Sequence, residues 1–330
     1  IFLFIMSKFF HGDDRRDNHF WVYPKCKPIS SSWDTHNLET YCNNHKFCHT
    51  FINHNITEYV CLGHDINEDI LIAILVKDKA ACLPFYLKCI YNQDYDKKKL
   101  HLYIRTNDNN DNSAEILLDF IGKYGKEYAS VYYDDSSIFP ELKQMAHRDW
   151  NTKRFHILGK IRQNSIDYAI KNNLHYFVAD CDNFITPNTF KAMIKYKKYK
   201  VLGPMLPTKT GYSNYHYAVD NDGYYRHHEN YMKVLRKEIL GPHPVAVIHC
   251  TYFIRNDTLK DIKYIDGTGR HEYVIFSDTL RKKNITQYIL NNDFYGFLTW
   301  HTEEEKLKDD LRGWFKWALP RFKLPENYLN

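Results

Sequence analysis

The sequence has no long apolar run. Its apolar start, Ile1-Phe2-Leu3-Phe4-Ile5-Met6, is six residues long, against the roughly 20 that a membrane-spanning helix needs. It also lacks the basic start and small-residue cleavage site of a secretory leader. It reads either as the remnant of a longer N-terminus or as a prefix to a true start at Met6, and no other stretch is apolar enough for a membrane span. An excess of one charge is missing too. The 45 basic and 40 acidic residues leave +5 over 330 residues. That can attract a phosphate-bearing ligand, but it is too weak and too evenly spread for a nucleic-acid surface. Glycine (13) and proline (11) are modest, and there is no internal repeat and no long linker.

What is present is ordinary for a globular protein, with 44% hydrophobic and 26% charged residues. The length allows one large α/β domain with an appendage, or two domains. Tyr (27) and Phe (20) are numerous, and Lys, Asn and Ile are abundant as well. That bias is the mark of an AT-rich genome, so a Tyr or Asn is a weak functional signal by itself. The cysteines are Cys26, Cys42, Cys48, Cys61, Cys82, Cys89, Cys181 and Cys250. An even count permits disulfides without showing them. The last four are expected to be thiols on a helix or in strand-like contexts. The first four are a framework of disulfides, a zinc site with His45, His49, His54 and His64, or free thiols; their spacing fits no standard finger. Asn55-Ile56-Thr57 and Asn284-Ile285-Thr286 fit the glycosylation pattern, which an Asn-rich chain also produces by chance.

Residues 1–69 show no sustained period and are expected to be an irregular Cys/His-rich appendage. From there a strand–helix alternation begins. Residues 69–76 form a continuous apolar run suited to a strand buried on both faces. A helix is expected over 80–91 with Pro84 in its first turn, a strand over 100–105, and a helix capped by Ser113 and running to about 124. Further strands are expected at 130–133, 175–179, 201–206, 245–254 and 286–290. Further helices are expected at 155–172, 187–196 and 272–283. On the first of these Ile157, Ile161, Ile166 and Ile170 fall at helical spacing. Residues 303–310 read as a charged, solvated helix face. The alternation implies an α/β fold, a mainly parallel central sheet flanked by helices over residues 70–330. Such sheets bind ligands at the carboxyl ends of their strands.

One such end carries the strongest chemical signal. The run 175–179 ends in Asp180-Cys181-Asp182-Asn183. Strand geometry sends residues i and i+2 to one side, so Asp180 and Asp182 can aim at one cation. Two hard oxygen ligands suit Mn²⁺ or Mg²⁺. A metal there can bridge the two phosphates of a nucleotide-sugar and act as a Lewis acid on the departing diphosphate.

The motifs around it come in a specific order. Residues 72–80 precede Leu83-Pro84. Arg105-Thr106 stands with Asn109, Asp111 and Asn112. Lys160-Ile161-Arg162-Gln163 precedes the acidic motif. Pro204-Met205-Leu206, Tyr212-Ser213-Asn214-Tyr215, Gly223-Tyr224-Tyr225, His249, Thr251-Tyr252-Phe253-Ile254, Tyr295-Gly296-Phe297-Leu298 and His301 follow. As an ordered set, from about Asp69 to about Asp310, they resemble the amino-terminal transferase domain of the procollagen galactosyltransferase family. There are departures. Asn107-Asp108 replaces the family's Asp-His, its acidic pair survives only as His271-Glu272, and its second transferase domain is missing. A stand-alone domain with this codon bias looks like a giant-virus member. Its place would then be host cytoplasm or virion, or the endoplasmic reticulum lumen if it is cellular.

The resemblance implies a GT-A type nucleotide-sugar-binding fold and an enzyme that moves galactose or glucose from a UDP-sugar, with inversion, to hydroxylysine of a collagen-like protein. It implies Mn²⁺ or Mg²⁺ on Asp180 and Asp182, with His301 as the further ligand. Val76, Lys77, Thr106 and Asp111 are placed at the nucleoside. Lys160 and Arg162 are placed at the phosphates or donor sugar, together with the motif Asp180, Cys181 and Asp182. Glu272 is the candidate general base. Tyr212, Asn214, Tyr224, Tyr225 and His249 are the candidates for the sugar and acceptor pocket. Bland alternatives stand beside these: turn capping for Asp111, an exposed helix face for Lys160 and Arg162, a helix-start carboxylate for Glu272, and ordinary packing for each Tyr and for His249. The partners expected are a UDP-sugar and a collagen-like acceptor, with no nucleic acid, and a homodimer is one assembly the sequence allows. The rival reading is a non-catalytic domain of the same fold that binds collagen-like protein or supports a partner enzyme.

Overall fold

The computed structural model describes residues 48–53, 56–61, 68–138, 151–301 and 303–324, all within a compact unit of residues 46–330. The segments Cys48–Asn53 and Ile56–Cys61 pair antiparallel with Cys48 opposite Cys61. The side-chain chemistry expected of Cys26, Cys42, Cys48, Cys61 and the neighbouring histidines, and the Asn55 site, lie outside the described residues.

The centre is an eight-stranded sheet. Its strands are β1 (Ile70–Val76), β2 (Leu100–Thr106), β3 (Ser130–Asp134), β4 (His175–Ala179), β5 (Val201–Pro204), β6 (Pro242–Val245), β7 (Thr251–Ile254) and β8 (Gln287–Leu290). Their spatial order is β6-β8-β5-β7-β4-β1-β2-β3. Only β7 and β6 run against the rest. The sheet is therefore mainly parallel and flanked by helices, the α/β architecture expected from the alternation of strands and helices. The helices of the described residues are α1 (Leu83–Tyr91), α2 (Ser113–Tyr124), α3 (Thr152–Lys171), α4 (Thr189–Lys195), α5 (Glu229–Leu235), α6 (Glu272–Lys282) and α7 (Glu304–Arg312).

The unbroken apolar runs follow from burial on both faces. In β1 the residues Ile70, Ile72, Ile74 and Val76 join one core with Leu83, Phe85, Leu117 and Phe120 of α1 and α2. Leu71 and Ala73 join the other, with Ile166 and Ala169 of α3 and Phe276 and Leu280 of α6. Successive residues alternate between faces, as a pleated strand requires. In β4 the same rule puts Phe177 and Ala179 in the first core and Tyr176 and Val178 in the second. On α3, Ile157, Ile161 and Ile166 are buried while Ile170 is exposed, and the last turn of the buried stripe passes through Ala169 instead.

Some expected elements are displaced. The strand expected over 245–254 is three pieces, β6, Val247–Ile248 and β7. It breaks at Ala246 and again at His249–Cys250, where Cys250 takes a left-handed backbone with φ of 63°. Because β7 is reversed, Cys250 then lies at the same sheet edge as the end of β4, and its carbonyl accepts the N–H of Asp180 at 2.9 Å. The helix α1 starts at Leu83, with a turn over 80–82. Ser113 does not cap α2; the Asp111 carboxylate receives its N–H, and the Ser113 hydroxyl receives the N–H of Lys79 at 2.9 Å. The helix α7 is not merely solvated. Leu307 and Leu311 are buried at i, i+4, and Asp310 is buried beside them.

A short pair, Gly296–Leu298 with Asn183–Ile185, links the chain after the acidic motif to the segment before His301. Gly296 has φ of 134°, and a Cβ there would overlap the carbonyl of Phe184. Only glycine permits that approach, which carries residues 299–301 to Asp182.

Candidate active site

β4 ends at Ala179, so the acidic motif lies in a turn, closed by the Asn183 N–H on the Asp180 carbonyl at 2.8 Å. The same-side rule for strands therefore does not apply to its two carboxylates, and each faces a different cation. Arg162 Nη2 donates to Asp180 Oδ1 at 2.8 Å, from the buried face of α3. Lys79 Nζ donates to Asp182 Oδ2 at 2.5 Å, from the loop after β1. Cys181, between them, is a buried thiol.

Arg162 also makes an ion pair with Glu272 Oε1 at 3.4 Å, and His271 contacts the same carboxylate. Burial alone would push Glu272 up, but His271 and Arg162 outweigh it and hold the carboxyl below its usual range. Burial pushes Asp180 above the usual carboxylate range against the pull of Arg162, and the neighbouring Asp182 adds to the rise. Burial opposes the charge of Lys79, but Asp182 overrides it and keeps the ammonium protonated. The Nη1 atom of Arg162 is buried with no hydrogen-bond partner among the described residues. Lys160 lies on the exposed side of α3, as two residues of helix turn through about 200°.

At the other strand ends, the Thr106 hydroxyl donates to the Val76 carbonyl at 3.0 Å and braces β1 to β2. Lys77 Nζ donates to the Asp108 carbonyl and pairs with Asp78 at 3.0 Å. Asp111 accepts the N–H groups of Ala80 and Ser113, so in this structure its carboxylate holds the two loops together. Asn107 and Asp108, the substituted pair, bond each other, and Asp108 also takes the Ser137 hydroxyl at 2.6 Å.

The 299–301 segment reaches the motif through the Thr299 N–H on the Asp182 carbonyl at 3.0 Å. His301 itself is turned to Asp310, Nε2 to Oδ2 at 2.9 Å, and Lys209 holds the other oxygen of Asp310 at 2.6 Å. Among the described residues no three His, Cys, Asp or Glu side chains converge as metal ligands. Asp180 and Asp182 nonetheless fit a divalent cation. They are hard oxygen donors, half-buried and two residues apart, and a cation that took them would have to share or displace the two basic side chains now paired with them.

Beside them is a group of rings. Tyr212 lies 5.0 Å from the exposed Trp300 and hydrogen-bonds His249 Nε2 at 2.9 Å. His249 Nδ1 is 2.8 Å from Cys250 Sγ. Asn214 is consumed by structure: its amide donates to the Pro204 and Thr251 carbonyls and its oxygen accepts the Leu206 N–H. The Tyr224 hydroxyl receives the N–H of His271, and Tyr225 packs on His216. Lys79, Asp310, Lys209 and Trp300 were not singled out by the sequence. A Lys three residues beyond an apolar strand and a Trp beside a candidate His ligand were the only hints.

His216 is buried against Tyr225, His249 and Tyr273, and neither ring nitrogen has a partner among the described residues. Burial pushes its imidazole down to about 4, whereas the unfolded chain takes up that proton near the ordinary value of about 6.5. Stability is therefore full above about pH 6.5 and is lost as pH falls toward 4. Between pH 7 and pH 5 this one group is expected to cost about 2 kcal/mol. Denaturant titration of wild type and His216→Phe at both pH values checks it: the variant should lose less stability on acidification, and equal losses would contradict the assignment.

A family model described as the N-terminal domain of glycosyltransferase family 25 matches residues 67–316. Procollagen galactosyltransferase 1-A of Xenopus laevis is 27% identical over 244 residues, 70% of this chain and 39% of that protein. The inactive glycosyltransferase 25 family member 3 of Mus musculus is 24% identical over 240 residues, 69% of this chain and 40% of that protein. The chain thus spans about two fifths of the length of these relatives. Among solved structures, residues 1–349 of S. aureus TarS in complex with UDP-GlcNAc align with a TM-score of 0.45 and 14% identity, over 79% of this chain and 69% of that one.

Proposed function

The chain belongs to glycosyltransferase family 25, and from that membership we propose that it is a metal-dependent, inverting transferase that moves galactose or glucose from a UDP-sugar to hydroxylysine of a collagen-like protein. The observation that carries the reading is the adjacent carboxylates of Asp180 and Asp182 at the carboxyl edge of a mainly parallel sheet, where such sheets take their ligands. Asp180 and Asp182, with His301 swung from Asp310, would hold Mn²⁺ or Mg²⁺. When bound, that ion would neutralise the developing charge of the departing diphosphate.

The chain's own residues do the rest. Val76, Thr106 and the loop held by Lys77 and Asp111 form the floor for the nucleoside. The unpartnered Nη1 of Arg162 is a donor left over for a phosphate or sugar oxygen, and a guanidinium suits such oxygens by its fork of N–H groups. Glu272 is the base of this reading, because Arg162 and His271 hold it ionised, the state that proton acceptance requires. Tyr212 and Trp300 offer aromatic faces to the acceptor or sugar ring, Tyr224, Tyr225 and His249 continue that wall, and Asn214 fixes its backbone.

A second reading has support of its own. A relative named as inactive matches nearly as well as the galactosyltransferase, so a non-catalytic domain that binds collagen-like protein is the alternative. Calorimetric titration of UDP with and without Mn²⁺, followed by transfer to a hydroxylysine-containing peptide, separates the two. Metal-dependent binding with transfer supports the enzyme. Binding of neither UDP nor metal, in folded protein, supports the inert domain.

A further inference from the structure

Lys79 is held in an unusual way. Its backbone is fixed: its N–H donates to the Ser113 hydroxyl at 2.9 Å, its carbonyl accepts the N–H groups of Cys82 and Leu83, and the next N–H, of Ala80, is taken by Asp111. Only its side chain is a movable arm. That arm crosses from the nucleoside loop to the acidic motif, 103 residues away in sequence, and ends 2.5 Å from Asp182 Oδ2. The neighbouring Lys77 does not share this position, because its ammonium is turned to Asp108 and Asp78.

Each carboxylate of the motif already has a cation: Asp182 has Lys79, and Asp180 has Arg162, which Glu272 shares. A divalent cation arriving alone must displace Lys79 from Asp182 and leaves that ammonium without an anion. The diphosphate of a nucleotide-sugar arriving with it brings about two negative charges, and free UDP brings nearly three, so the released ammonium gains a partner. A lysine stem of four methylenes can move its ammonium several ångströms with the backbone still, so the exchange needs no change of fold.

We propose that Lys79 is a charge placeholder on Asp182 that is released to the donor's diphosphate when the metal binds, and that it thereby couples metal binding to nucleotide binding. The inference rests on the transferase reading of the same site. Coupling between two ligands is reciprocal and commonly amounts to about 5–150-fold. Without Lys79 the metal meets a bare Asp182, and the diphosphate loses a cation.

Isothermal titration of Mn²⁺ with and without UDP, on wild type and Lys79→Met, tests this. In wild type, UDP is expected to tighten Mn²⁺ by a factor in that range. In Lys79→Met, Mn²⁺ alone binds about tenfold tighter, UDP at saturating Mn²⁺ binds about tenfold weaker, and the coupling shrinks. Lys79→Arg keeps the charge and should retain the coupling, which controls for a folding defect. Wild-type binding of both ligands with unchanged constants in Lys79→Met would overturn the role of Lys79 and leave the transferase reading standing. Failure of wild type to bind UDP with Mn²⁺ would overturn both.

Discussion

Asp182→Asn is expected to lower the rate of sugar transfer by about 10³-fold or more, the scale of several kcal/mol of charge stabilisation at a departing diphosphate. The amide keeps the shape of the side chain and can still accept a hydrogen bond, so the turn after β4 is preserved. What is lost is one of two anionic oxygen donors and the ion pair with Lys79. The ion pair is mostly buried, with side-chain exposures of 22% and 18%, but the amide oxygen can still accept from the Lys79 ammonium, so the melting temperature should fall less than in a variant that removes a buried cation outright. The combination of large loss of rate and small loss of stability is the signature of a metal-holding group. Transfer within tenfold of wild type, measured with excess Mn²⁺, would remove Asp182 from the site.

Arg162→Met should behave in the opposite way. Arg162 is buried between Asp180 and Glu272, and its removal leaves the Asp180 carboxylate without its cation and Glu272 with His271 alone. Breaking a buried ionic network from one side costs about 3–5 kcal/mol. For a domain of this size that is roughly 6–20 °C in melting temperature. Adding Glu272→Gln to Arg162→Met should recover part of the loss, because one of the two carboxylates that Arg162 paired is gone. A shift below about 2 °C in the single variant, by differential scanning calorimetry, would show that the network contributes little to the fold. Arg162 braces the motif through its ion pairs with Asp180 and Glu272, and on the proposed reading its Nη1 would be the donor to a phosphate or sugar oxygen. Its position on the α3 face opposite Lys160 decides which of the two basic residues has that role.

The strands β1, β2 and β4 are legible because burial on both faces writes a continuous apolar run into the sequence. The region 245–254 looks like such a run but folds as three pieces. Its second break depends on a left-handed Cys250, a conformation a sequence does not announce when the residue is not glycine. The nature of α7 is hidden in the same way, since its charges are plain and the two leucines that seat it are only two. The acidic motif drew notice by its two carboxylates at a strand end, but the strand geometry expected of them does not extend past Ala179, and their ion-pair partners gave no sign. The pairings of Lys79 with Asp182 and of Arg162 with Glu272 join segments about 100 residues apart, which the sheet and its helices bring together, and that of Arg162 with Asp180 depends on how α3 packs back on β4. The bonding of Asp111 and Asn214 to backbone has the same origin: an Asn or Asp in a polar loop gives no sign of whether it will hold a ligand or a turn.

The account rests on sugar transfer at Asp180 and Asp182. Its most direct test is turnover of a panel of UDP-sugars by the full chain, with Mn²⁺ or with chelator, in the presence and absence of a hydroxylysine-containing collagen peptide. Transfer from UDP-galactose or UDP-glucose to the peptide, abolished by chelator, is the predicted result. No hydrolysis and no transfer from any donor, by folded protein with Mn²⁺ present, would contradict it.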